Sequence, residues 1–228
     1  MHILFNKKGN PIRPDIIRKA IREFGSGYNE TVRRIIVKTN NGVNRQVFCQ
    51  NVAILMPNFK MTRSGPFKGI RYVDGKVIDP NKQISACWKK IGGCIIKLSA
   101  FLKERGFGSR ARIFVEMADS EREEVASGLW EMFKKLIPLC MGKNTLGLVA
   151  ASKVLFAAFP EVAQPIDNAQ WRTVFKTIDY GDIVLRMAAE IMEWEVRSGV
   201  NFESCDPHTI TTLPSIYNVM AMKARKQV

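Results

Sequence analysis

The sequence predicts an α+β fold that is mainly α: a basic N-terminal part with β-hairpins over residues 1–80, followed by a helical domain over 81–228. Three observations predict it. Asn-Gly and Asp-Gly turn signals between short apolar runs fall within the first eighty residues. From Pro80 onward apolar residues recur at three- and four-residue spacing, the period of a helix. The net charge of +14 is carried entirely by one half of the chain.

The first element is "RPDIIRKAIREFG", a short amphipathic helix. Pro14 stands at its start, Ile16, Ile17, Ala20, Ile21 and Phe24 share a face, and Gly25 ends it. "RRIIVKTNNGVNRQVFC" reads as a first β-hairpin, two apolar runs around Asn-Asn-Gly. "GIRYVDGKVID" reads as a second, with Asp74-Gly75 as the two-residue turn.

The helical reading then begins. In "NKQISACWKKIGGCIIKLSAFLKERG", Ile84, Cys87, Trp88, Ile91, Ile95, Leu98 and Leu102 form the apolar stripe, and Gly92-Gly93 weaken it. "RARIFVEM" fits a strand or the lead-in to the next helix. "DSEREEVASGLWEMFKKLI" starts with Asp119 or Ser120 as cap and three glutamates in the first turn. Further helices are expected at about 145–159, 168–178, 180–197 and 213–226.

Residues 1–118 hold 23 Lys+Arg and 7 Asp+Glu, while residues 119–228 hold 12 and 14. A surface that neutralises phosphates leaves this asymmetry, because each neutralised phosphate releases counterions. A solvated basic surface kept for solubility is the alternative. The richest stretch is "NFKMTRSGPFKGIRYVDGK", in which Lys60, Arg63, Lys68, Arg71 and Lys76 alternate with Phe59, Phe67 and Tyr72. Cations there would meet phosphates while rings stack on bases. Arg33, Arg34, Lys38 and Arg45 form a second cluster, and Lys103, Arg105, Arg110 and Arg112 a third.

"LGLVAASKVLFAAFPEVAQPID" resembles the segment of helix-hairpin-helix DNA glycosylases in which a tight hairpin leads into a helix ending in a catalytic acid. The resemblance covers about thirty residues. It matches Gly147 to the last hairpin glycine, Phe159 to the family's aromatic, Ile166 to its apolar residue and Asp167 to its acid. It implies that hairpin amides hold a phosphate, with Lys143 beside them, and that Asp167 supports cleavage of a glycosidic bond. A base flipped out of the stack would then meet Trp171. The chain departs from the family where it carries Lys143, Asn144, Thr145 and Leu146 in place of the Leu-Pro-Gly core, and Val149 in place of the lysine of lyase-competent members. The stretch is also similar to uncharacterised microbial helical proteins sharing Ser152, Lys153, Leu155, Pro160, Pro165 and Asp167. Read from the residues alone, Asp167 is equally an N-cap for the helix that follows.

No P-loop, GxGxxG or Gly-x-Ser-x-Gly pattern occurs. No cofactor is expected. Five dispersed cysteines and two histidines fit reduced thiols and no metal site, although Cys205 and His208 have a ligand-like spacing. Asp179, Asp182, Glu190, Glu193 and Glu195 read as a solvated helix face. The first residues are too polar for a secretory signal and no run suits a membrane helix, so an intracellular location, cytoplasmic or nucleoid-associated, is expected. Two functions remain open. One is a glycosylase-like protein acting on nucleic acid, DNA or RNA, through Asp167. The other is a non-catalytic nucleocapsid-like, coat or accessory protein using the same cations.

Overall fold

A computed structural model describes residues 2–39, 42–104, 112–143, 145–206 and 212–224. The chain is mainly helical. α1 (Pro14–Phe24), α2 (Ser26–Thr39) and α3 (Arg45–Asn58) precede a hairpin of β1 (Arg71–Val73) and β2 (Lys76–Ile78). There follow α4 (Gln83–Glu104), α5 (Ile113–Glu116), α6 (Asp119–Cys140) and α7 (Leu148–Ala158). A π-helical segment (Gln170–Phe175), α8 (Tyr180–Ser198), a 3-10 turn (Phe202–Cys205) and α9 (Leu213–Ala224) complete it.

The second hairpin is as predicted. Arg71 pairs with Ile78 and Val73 with Lys76, and Asp74 and Gly75 both take positive φ, 48° and 76°. That is the two-residue turn whose twist matches paired strands. The first hairpin is overturned: its two runs are the end of α2 and the start of α3. Ile35-Ile36-Val37 favours a strand by local propensity, but Tyr28, Asn29, Thr31, Val32, Ile35, Ile36 and Thr39 are the buried residues, at helical spacing, while Val37 stays 64% exposed. Phe48, Asn51, Val52 and Leu55 repeat the pattern in α3, whose N-cap Asn44 accepts the Val47 N–H. "RARIFVEM" contains the short helix α5. Neither Asp119 nor Ser120 caps α6: the helix begins at Asp119, its N-cap is Ala118, and Glu121 accepts the Ala118 N–H at 3.1 Å.

α6 is the central helix, packing on α4, α7 and α8. α3 packs on α2, α4 and α7, and α1 on α9. One apolar cluster therefore runs from Ile3 to Ala221 across residue 80. The extreme N-terminus joins it by polar contacts to α8: Glu190 accepts the Leu4 N–H at 2.7 Å, and Trp194 Nε1 donates to the Ile12 carbonyl at 2.8 Å. All five cysteines are free thiols. No helix of the described residues is long and apolar enough to cross a membrane.

Candidate functional site

The basic surface is built on α3, the hairpin, the loop between them and α4. In that loop Phe67 and Ile70 are buried anchors, and Gly65 and Gly69 take φ of 74° and 77°. Backbone bonds from Lys68 N to Gly65 O and from Gly69 N to Thr62 O close its turns. The anchored turns hold Lys60, Arg63 and Lys68 exposed, with Arg71 and Lys76 exposed on the hairpin. Asp79 ties the hairpin to α4 by accepting the Gln83 and Ile84 N–H groups at 2.8 and 2.9 Å. A Cβ at Gly142 would lie 3.8 Å from Pro66, so the exposed Lys143 next to it stands beside the Arg63–Lys68 loop. Lys38 donates to Gln50 at 3.1 Å and lies over the Tyr72 ring at 5.6 Å, which brings the end of α2 against the hairpin. Arg45, at the start of α3, is exposed. Arg33 and Arg34 are exposed on α2, and Arg33 is paired with Glu30 at 2.8 Å. Arg110 lies outside the described residues.

On the outer face of α4 sequence reasoning named Lys103 and missed the three lysines before it. Lys89, Lys90, Lys97 and Lys103 are all exposed there, with Gly93 and Ala100 between them. The helical period that identified the buried stripe of α4 also fixes these positions opposite it.

Two expected contact residues are placed elsewhere. Arg112 is enclosed by carboxylates: its guanidinium donates to Glu195 Oε1 and Oε2 at 2.8 and 2.9 Å, to Glu203 at 2.6 Å and to Glu116 at 3.1 Å. Hydrogen bonding to Glu195 raises the guanidinium above its ordinary value. Arg112 is thus a structural clamp between α5, α8 and the 3-10 turn, not a phosphate contact. Trp171 is 5% exposed, with its ring 5.6 Å from Phe133 and 6.4 Å from Tyr180. It is a core residue and presents no platform for a base. The acidic face of α8 also divides: Glu190 is buried, accepting from Leu4 and from the Tyr217 hydroxyl at 2.6 Å, and burial pushes its carboxyl above the usual range.

Asp167 terminates an unusual segment. Phe159 to Ile166 form no helix or strand, yet every residue is buried. Buried backbone needs partners, and α7 and α8 supply them. Ser152 Oγ accepts the Ile166 N–H at 3.1 Å and donates to the Val149 carbonyl at 3.0 Å. The Tyr180 hydroxyl receives the Gln164 N–H at 2.7 Å and donates to the Gln164 carbonyl at 2.8 Å. Just before the loop, at the end of α7, the Ala157 carbonyl accepts from Asn51 Nδ2 of α3 at 3.0 Å. The Ser152–Asp167 spacing seen in the sequence is thereby the signature of a supported buried loop.

Beyond the loop, Asp167 Oδ1 accepts the Gln170 N–H at 2.8 Å, and Gln170 Oε1 accepts the Asp167 N–H at 2.7 Å. Gln170 Nε2 donates to Asn218 at 3.0 Å, and Asn218 Nδ2 donates to the Tyr28 hydroxyl at 3.4 Å. Lys153 completes the surroundings: its Nζ lies 4.3 Å from the Phe59 ring centre, and Phe59 packs edge-on against Tyr28 at 5.8 Å. Burial lowers the Lys153 ammonium to about 8, and the nearby Asp167 charge opposes that shift. Asp167 is therefore an N-cap inside a network joining α2, α7, the π-helical segment and α9. Gly147, matched to the hairpin glycine, packs on the end of α6, where an added Cβ would come within 2.5 Å of the Ile137 carbonyl.

A cleft of about 570 Å³ opens between the N-terminal segment, α1 and α9, lined by His2, Phe5, Lys7, Ile16, Met220 and Lys223. None of the sequence-predicted site residues lines it. Among the described residues no group of three His, Cys, Asp or Glu side chains is placed to hold a metal; His208 lies outside them. No family model, no curated protein and no solved structure matches the chain.

Proposed function

We propose that this protein binds nucleic acid through the basic surface formed by α3, the 59–70 loop, the hairpin and α4. One observation carries the reading. Residues 60–103 contain ten Lys+Arg against two Asp+Glu, and none of those ten cations forms an ion pair with a described residue. Arginines elsewhere, such as Arg112, Arg122, Arg186 and Arg197, are paired within the fold. Unpaired cations held on ordered elements repel one another, and a polyanion relieves that repulsion by releasing its own counterions. The reading is of binding without a chemical step, because the engagement of Asp167 as a cap favours a structural role for it.

Fluorescence anisotropy with labelled oligonucleotides across a salt series tests it. Replacing Arg63, Lys68 and Arg71 together by Gln should weaken binding and lower the log–log salt slope by about 2.7, near 0.9 for each phosphate that is no longer neutralised. Absent binding to every DNA and RNA tried, or binding insensitive to salt, sinks the reading.

A further inference from the structure

Resting on that reading, we infer that the ligand of this surface is double-stranded nucleic acid, held through its phosphates without base stacking. A protein that grips single strands combines a cationic groove with aromatic side chains that offer a ring face to bases. The sequence carries the raw material for such a platform, since aromatics alternate with cations from residue 59 onward. The fold withdraws it. Phe67 is 1% exposed and anchors its loop. The Phe59 ring is met by Tyr28 on one side and by the Lys153 ammonium on another. Tyr72 is half-buried, with Lys38 over its ring. Trp88, on α4, packs against Phe48 at 5.4 Å and lies over Gly92, where an added Cβ would come 2.7 Å from the indole. Among the described residues, the exposed large apolar side chains are Ile, Val, Leu and Met, with no Phe, Tyr or Trp.

What the same surface does present is a band of lysines along one continuous helix. Lys89, Lys90, Lys97 and Lys103 lie along one face of a continuous helix, over about 21 Å at 1.5 Å per residue. Gly93 and Ala100 lie between the lysines, together with Ile96, which is 53% exposed, and the exposed Glu104 follows Lys103; a Cβ at Gly93 would meet nothing within 4 Å. A duplex carries one charge per ~1.7 Å of axis and stays straight over ~150 base pairs, whereas each strand alone carries half that density. Lysines held at fixed spacing along a helix match the stiff, denser polyanion. A flexible strand would have to be ordered along it with no ring contacts in return.

The experiment compares a 24-base-pair DNA duplex, an RNA duplex of the same length and an unstructured 24-nucleotide oligothymidylate, by anisotropy with the full chain. Three proteins are used: the natural sequence, Tyr72→Ala, and the triple change Lys89→Gln, Lys90→Gln and Lys97→Gln. We expect at least one duplex to bind about tenfold or more tighter than the single strand. Tyr72→Ala should leave affinities within about twofold, where a stacking residue would cost roughly 5- to 100-fold. The triple lysine change should weaken duplex binding and lower its salt slope by about 2.7. The DNA and RNA arms identify the source of the duplex. Single-strand binding equal to or tighter than both duplexes, a tenfold loss in Tyr72→Ala, or an unchanged slope in the lysine variant overturns this inference and leaves the binding proposal standing. No binding in any arm overturns both.

Discussion

Asp167 and Gln170 cap each other: each side chain accepts the backbone N–H of the other, at 2.8 and 2.7 Å. The pair forms the start of the π-helical segment and fixes where the buried 159–166 loop ends. Asp167→Ala is expected to lower unfolding stability by about 1 kcal/mol, the usual worth of an N-cap, and Asp167→Asn by less, because Asn also caps. Thermal denaturation of both variants checks this. Nucleic-acid affinity should be unchanged in both. A catalytic role would instead show as loss of product formation in Asp167→Asn at full stability.

Lys153 gives a pH signature. Its folded value of about 8 lies below the ordinary 10.5. Between those values the unfolded chain holds the proton that the folded chain has released, so stability rises with pH across that window. Below pH 8 both states are protonated and the full penalty of the buried charge, of order 3 kcal/mol, is present. Lys153→Met should therefore stabilise the protein most at pH 7 and lose that advantage as pH rises toward 10. Urea unfolding at pH 7, 8.5 and 10 reads it. Removing the Asp167 charge should push the Lys153 ammonium lower still.

Arg112 is surrounded by Glu116, Glu195 and Glu203, with its own side chain 18% exposed. Arg112→Ala strands those carboxylates near one another and should cost about 2 kcal/mol, less than a fully buried pair. Arg112→Lys should recover only part of it, since an ammonium cannot serve Glu195 with two parallel bonds. Neither change should alter oligonucleotide affinity or salt slope, in contrast to replacement of Arg63 or Lys68. Chemical denaturation and anisotropy on the same variants separate the two effects.

Gly147 combines a φ of 77° with backbone of α6 within 2.5 Å of where a Cβ would stand. Gly147→Ala should cost about 3 kcal/mol or more, from strain and from displacement of α7. Gly93→Ala, on the exposed face of α4 with nothing within 4 Å, should raise stability by about 0.5–1 kcal/mol. A comparison of their melting temperatures checks both signs.

The longer helices from α4 onward were legible because a helix stripe is written locally, at three- and four-residue spacing; the four-residue α5 was not, since its sequence fits a strand as well. The Asp74-Gly75 hairpin was legible because its turn needs positive φ at both positions. The first hairpin misled because Ile35-Ile36-Val37 beside Asn-Asn-Gly satisfies every short-range strand rule. Only the longer register of Tyr28, Val32, Ile35, Ile36 and Thr39 reveals the helix. The site was half legible. Charge counting located the basic half, and the α4 lysines were readable as the opposite side of a stripe already traced. The burial of Trp171 and the enclosure of Arg112 were not readable, because both depend on partners 38 to 91 residues away, such as Phe133 and Glu203.

α6 has Glu121, Glu123 and Glu124 in its first turns and the exposed Lys143 just past its end. From Glu121 to Cys140, where the helix ends, the rise is about 29 Å at 1.5 Å per residue. Charge is thus separated along this central helix, acidic in its first turns and basic just past its end. In the proposed approach to a polyanion, torque would act before contact and turn the lysine-bearing end forward. The effect reaches only as far as ions in solution permit, about 8 Å at physiological strength and 30 Å in dilute buffer. Capture in dilute buffer should be faster because fewer encounters begin with the wrong end.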